Sequence, residues 1–215
     1  MTMLINGIPV EFITRRGMKN VRVRVDRDAK VTVSAPKGYP VEKARLFALE
    51  KYEWIAKNVE KARKKPSPDI RDGVVLPVLG ENKRFVFVIG TRKKVVLSGD
   101  EIIVTASEKS LLPAAEKYLS ERLTEYLQER INYYQRLTGL LCSRFSVGKM
   151  RSRWGVCYTE TKALKFSLAL VFQPLENIDY VVLHELAHLY RAAHDKTFYA
   201  FIARFMPDYK SRMKF

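Results

Sequence analysis

Residues 184–188 read His-Glu-Leu-Ala-His, and this pentad constrains the chain more than any other stretch. Histidines four apart lie one turn apart on the same face of a helix, so two imidazoles can grip a single metal ion. The acid that follows the first histidine, Glu185, can then reach a water in the open coordination position, which is the metallohydrolase arrangement. The apolar pattern Ile178, Val181, Val182, Leu186 and Leu189 carries a helix through the pentad, and Pro174 stands where that helix can begin.

A catalytic zinc site takes three protein ligands and keeps one position for water. All three histidines of the chain lie between 184 and 194, and no glutamate follows Glu185. The downstream candidates are therefore His194, Asp195 and Asp208. His194 stands six residues past His188, the separation of the second and third metzincin ligands, with Asp195 as its main rival. That motif turns on a Gly where this chain has Arg191, so the helix is expected to end near Arg191 or Ala192. Zinc is the ion inferred from ligand type; Ni2+, Co2+ and Fe2+ accept similar donors.

Other side chains near the pentad have competing roles. Arg151, Arg153 and Trp154 are candidate substrate-binding residues, because an arginine there can polarise a carbonyl or phosphoryl oxygen. Arg153 and Trp154 can equally lock a strand against the metal helix. Tyr190 and Tyr199 are candidate oxyanion donors by their proximity in sequence, with aromatic packing the favoured reading for both. Cys157 is surplus as a ligand, Asp179 suits the helix N-terminus better than the metal, and Met206 reads as core.

Periodicity organises the remainder. Val21–Pro36 alternates apolar and polar residues on both sides of Asp26–Ala29, a hairpin with Val21, Val23 and Val25 on one face and Arg22 and Arg24 on the other. Ala44, Phe47, Ala48, Tyr52, Ile55 and Val59 mark one helix over about 41–64, stopped by Pro66-Ser67-Pro68. Short β-runs follow at 74–79, 84–89, 94–97 and 102–105. A helix spans 111–137 before Gly139, two strands cover 144–147 and 164–171, with 151–157 as their connection, and a last helix covers 196–205. No internal repeat is legible. The resulting fold class is α+β, with a β-rich region over 1–107 and a catalytic unit over 108–215.

Charge and cysteine content bound the setting. The chain has 39 Lys and Arg against 23 Asp and Glu, a formal charge of +16, which attracts anions such as a nucleotide or DNA. Two cysteines are too few for a disulfide framework. There is no apolar run long enough to span a bilayer, and the N-terminus lacks the pattern of a secretory signal. The expectation is a cytoplasmic protein with no membrane partner.

The sequence resembles the YgjP-like metallopeptidase family, related to the SprT-like and WLM zincins. The resemblance rests on Arg153-Trp154-Gly155-Val156-Cys157, on Asp179 through His188, and on His194 followed by Phe198. It extends to Ser34-Ala35-Pro36-Lys37-Gly38 and Trp54-Ile55, and it departs at Val156 and Ala193. It implies a zincin-like C-terminal unit after a β-rich N-terminal region and leaves the substrate open, with a peptide or protein the leading expectation. The leading expectation is thus a zinc metallopeptidase with His184, His188 and His194 as ligands and Glu185 as general base. Two alternatives stand beside it: a metal-dependent nucleotide hydrolase, without any Walker-type glycine cradle, and a DNA-associated protease or non-specific nucleic-acid-binding module.

Overall fold

The computed structural model describes residues 1–26, 28–64, 68–150 and 153–213. Arg151 and most of the expected Pro66-Ser67-Pro68 linker lie outside them. The chain divides into two compact units, Met1–Ser67 and Pro68–Phe215.

The first unit is a four-stranded sheet under two helices. Strands β1 (Thr2–Ile5), β2 (Ile8–Arg15), β3 (Arg22–Val25) and β4 (Val31–Pro36) are ordered β1-β2-β4-β3. The β2–β4 pair is parallel, and the flanking pairs are antiparallel. The Asn6-Gly7 turn takes positive φ at both residues, as a two-residue hairpin of this twist requires. The β3–β4 turn is tied by Asp26, whose Oδ1 accepts the N–H groups of Asp28 and Lys30 at 3.0 and 2.9 Å. The helix expected over 41–64 is present as α1 (Val41–Glu50) and α2 (Tyr52–Lys64), interrupted at Lys51. Ala44, Ala48, Ile55 and Val59 pack on Val10, Phe12, Val31 and Val33.

The second unit begins with another four-stranded sheet: β5 (Val75–Val78), β6 (Glu81–Ile89), β7 (Lys94–Ser98) and β8 (Glu101–Ala106), ordered β5-β6-β8-β7. One face of this sheet packs on α3 (Leu111–Thr138), and Gly139 closes that helix in the left-handed conformation at φ 74°. Val78, Phe85, Ile102, Val104 and Ala106 share one core with Leu119, Leu123, Ile178, Val182 and Leu186. The boundary expected at 107 therefore moves to Ser67–Pro68, because β5–β8 bury their apolar side chains against the helices that follow them.

A three-stranded sheet comes next, ordered β10-β11-β9: β9 (Arg144–Gly148), β10 (Gly155–Tyr158) and β11 (Ala163–Ser167). Two sequence readings change here. Residues 155–158, read as part of a connection, form a strand, and 164–171 is strand only to Ser167, continuing as a 3-10 turn, Leu168–Phe172. β11 is also central, flanked by β9 and β10, so β10 is the edge strand beside α4 (Leu175–Ala187). The helices α5 (Lys196–Phe205) and α6 (Tyr209–Arg212) close the unit. No helix among the described residues is long and apolar enough to cross a membrane.

Candidate metal centre

The pentad lies at the C-terminal end of α4, which is fixed to its surroundings several residues earlier. Asp179 accepts two hydrogen bonds from the Arg130 guanidinium of α3, both at 2.7 Å, and one from the Tyr126 hydroxyl at 3.2 Å. A bidentate arginine–carboxylate pair holds orientation as well as distance. Asp179 thus serves the α3–α4 contact; the N-terminus of α4 is occupied by Pro174, with Glu176 as its first-turn acid.

His184 and His188 project from the last turn of α4, and His194 reaches back across the loop before α5. Helical bonding runs on to Arg191, whose N–H reaches the Ala187 carbonyl at 2.9 Å. From there the chain turns with no positive φ between 189 and 194, so no glycine is needed. Instead Arg191 ion-pairs with Asp195, and Asp195 caps α5 by accepting the Phe198 N–H at 3.0 Å. The carboxylate proposed from sequence as the rival to His194 is committed to this staple.

In His184 and His188 the ring nitrogen that faces away from the cluster is engaged. His188 Nδ1 lies 3.2 Å from the Arg191 carbonyl, which only accepts, so Nδ1 carries the proton and Nε2 the lone pair. His184 Nδ1 lies 3.2 Å from the Tyr180 hydroxyl one turn earlier. The Nε2 atoms of His184 and His194 stand 3.0 Å apart, close to the roughly 3.3 Å expected of two nitrogens on one tetrahedral zinc. One nitrogen from each of the three histidines falls within 4.8 Å of the others. Burial pushes His184 down to about 3, helped by His188 and His194, and burial also lowers His188. Imidazole nitrogens converging at these distances are the donor set a borderline-soft divalent cation takes. Phe198, fully buried, packs its ring 4.8–5.0 Å from all three imidazoles and forms their floor.

Glu185 is 6% exposed. Burial pushes its carboxyl up to about 7, against the opposing pull of the Arg153 charge and of a hydrogen bond from the Cys157 backbone. It shares a cleft of about 660 Å³ with the three histidines, Arg153, Trp154, Gly155, Cys157, Thr159 and Tyr180. Of the substrate-binding candidates, Arg153 and Trp154 line this cleft. Trp154 also packs on the core, and its carbonyl accepts the Ser167 N–H at 2.8 Å, joining β10 to β11. Tyr190 stands outside the cleft, 54% exposed, with its ring stacked on Phe201 at 4.7 Å. Tyr199 stacks on Tyr209 at 5.8 Å, and Met206 is buried in the core. Burial pushes the Cys157 thiol up to about 11, and Cys157 is not part of the convergent donor group of His184, His188 and His194.

Sequence reasoning passed over Tyr180, Phe198 and Gly155 as working residues. Tyr180 was within reach, since it stands four residues before His184 on the same helical face. Phe198 and Gly155 gave no such signal, because both act across a tertiary contact.

A family model described as YgjP-like, metallopeptidase domain matches residues 19–214. The chain belongs to the YgjP-like metallopeptidase family, and metal-dependent peptidase chemistry in general terms goes with that membership. Comparison with curated proteins and with solved structures gives no significant match.

Proposed function

We propose that the chain is a zinc-dependent, zincin-like peptidase in which His184, His188 and His194 hold the ion and Glu185 is the general base. The observation that carries this reading is the convergence of three imidazole nitrogens in the same cleft as the buried Glu185 carboxyl. Zinc in such a site acts as a Lewis acid and makes water acidic near neutral pH. Glu185 takes the proton of the attacking water and returns it to the leaving amine. Tyr180 and the Arg191 carbonyl keep the imidazoles turned inward. Arg153 and Trp154, at the cleft wall, contact the substrate.

The substrate is an extended peptide that pairs with β10. The Ser167 N–H bonds Trp154 O, so along this antiparallel pair the main-chain groups of Gly155 and the carbonyl of Cys157 point away from β11 toward the open edge. Pairing there aligns a scissile bond over the cleft with little sequence preference. Free Cys142 and Cys157 suit a cytoplasmic setting.

The test is a mass-spectrometric turnover assay on unfolded proteins mixed with nucleoside triphosphates. Wild type is expected to release peptide fragments, and Glu185→Gln to keep the metal and release none. Nucleotide products, or turnover by the variant, would overturn the assignment.

A second proposal concerns partners: the outward face of the first sheet binds nucleic acid through its phosphates. Residues 1–67 carry sixteen Lys and Arg against seven Asp and Glu. On the face opposite α1 and α2, Arg15, Arg22 and Arg24 surround Thr32 and Ser34, and the acid there, Glu11, is paired with Lys30 at 2.9 Å. Guanidinium and hydroxyl donors without base-reading geometry suit backbone contact.

A further inference from the structure

A Cβ built on Gly155 would stand 2.6 Å from Cγ of Glu185, 2.7 Å from Oε1 and 2.8 Å from Cδ. Real Cβ contacts essentially never fall below 3.0 Å. The nearest of these atoms, Cγ, is fixed by the first side-chain torsion, so the carboxylate cannot step aside merely by rotating its far end. Glu185 is also buried, and the Cys157 backbone, two residues along the same strand, lowers its carboxyl against the effect of that burial. β10 thus presents an empty surface where the Glu185 stem passes.

We infer that Gly155 is a positioning residue for Glu185: the missing side chain lets α4 and β10 approach until the Glu185 stem lies where a β-carbon would stand. The inference rests on the general-base reading of Glu185 for its catalytic consequence, while the contact itself stands on geometry alone. The backbone of Gly155 is ordinary strand with no left-handed φ. An alanine there meets no conformational strain of its own, and the three nearest atoms its Cβ would meet all belong to Glu185.

The experiment combines kinetics with a stability cycle on the full chain. Gly155→Ala is expected to lower kcat on the order of 10²-fold, the scale of a 1 Å misplacement of a catalytic group. KM should stay within about twofold, since a misplaced base is felt in the transition state rather than in substrate binding, and the bound zinc per chain should be unchanged. Gly155→Ala should also lower the Tm when Glu185 is present and cost nothing measurable in a Glu185→Ala background, where no Cγ remains to collide. Should Gly155→Ala alone fail to fold, the same background must restore folding. Wild-type kcat in Gly155→Ala alongside an inactive Glu185→Gln would overturn the inference, as would an equal loss of Tm, or an equal failure to fold, in both backgrounds. Turnover retained by Glu185→Gln would instead remove the general-base reading and leave the Gly155 contact to be decided by the stability cycle.

Discussion

The two four-stranded sheets have the same strand order, the same senses of pairing and closely matched registers, yet they are used in opposite ways. In each, a hairpin closes on a two-residue turn with two positive φ angles, Asn6-Gly7 in one and Leu79-Gly80 in the other. In each, a buried phenylalanine on the strand after that turn, Phe12 or Phe85, pairs with a buried β-branched residue, Val33 or Ile102. The outward row Ile13–Ser34–Arg22 of the first sheet corresponds to Val86–Ile103–Val96 of the second. Turn geometry and the inward residues suffice to set this topology, while the outward residues are free to differ. The second sheet is tied into the catalytic unit: the Leu79 N–H bonds the Val171 carbonyl at 2.8 Å, and Gly80 lies against Leu175, the first residue of α4. The first sheet carries its arginines outward instead.

The sharpest way to break this comparison is to empty the matched core positions. Phe85→Ala should cost about 3–5 kcal/mol and lower zinc content and turnover together, because Phe85 shares its core with α4. Phe12→Ala should cost a similar amount in its own unit while leaving zinc content unchanged. Calorimetry with metal analysis checks both, and equal zinc loss in the two variants would show that the units do not divide the work as described.

A smaller difference is expected at the turns. Gly7→Ala meets open space and bears only the left-handed backbone penalty of about 1–2 kcal/mol. Gly80→Ala bears that penalty and also brings its Cβ to 3.3 Å from Leu175 Cγ. It should be the more destabilising of the two and should lower kcat by shifting the start of α4; paired denaturant titrations and kinetics measure the gap.

The smallest effect on stability is expected on the outward faces. Arg22→Ser with Arg24→Ser should leave the folding stability within about 0.5 kcal/mol of wild type. It should flatten the salt dependence of DNA binding by about 0.9 in log–log slope for each phosphate that is no longer neutralised. Val96→Ser, at the position in the second sheet that matches Arg22, should leave the slope unchanged. Fluorescence anisotropy across a salt series checks this, and an unchanged slope in the arginine variant would remove the nucleic-acid proposal.

The legible parts of the molecule were those with short-range causes. The period of the apolar residues marked the α4 stripe, the 111–137 helix and the Val21–Pro36 hairpin, and the four-residue spacing of His184 and His188 put both on one helical face. The repeated sheet escaped detection because it keeps which residues face inward and where the turn falls, while the side chains that would reveal a repeat differ: Arg22 against Val96, Ser34 against Ile103. β10 escaped because four residues, one of them glycine, carry too little alternation to announce a strand.

The sequence by itself determined the candidate donors: three histidines, one following glutamate, and a helix to carry two of the imidazoles. Tertiary structure decided what those donors face. It turned His194 back through the Arg191–Asp195 staple, set Phe198 beneath three rings, committed Asp179 to Arg130, and laid Glu185 against Gly155. The reason is physical. Helical spacing is fixed within a few residues by backbone geometry, whereas burial, ring contacts and the approach of one strand to one helix depend on segments far apart in sequence and exist only once the core has closed.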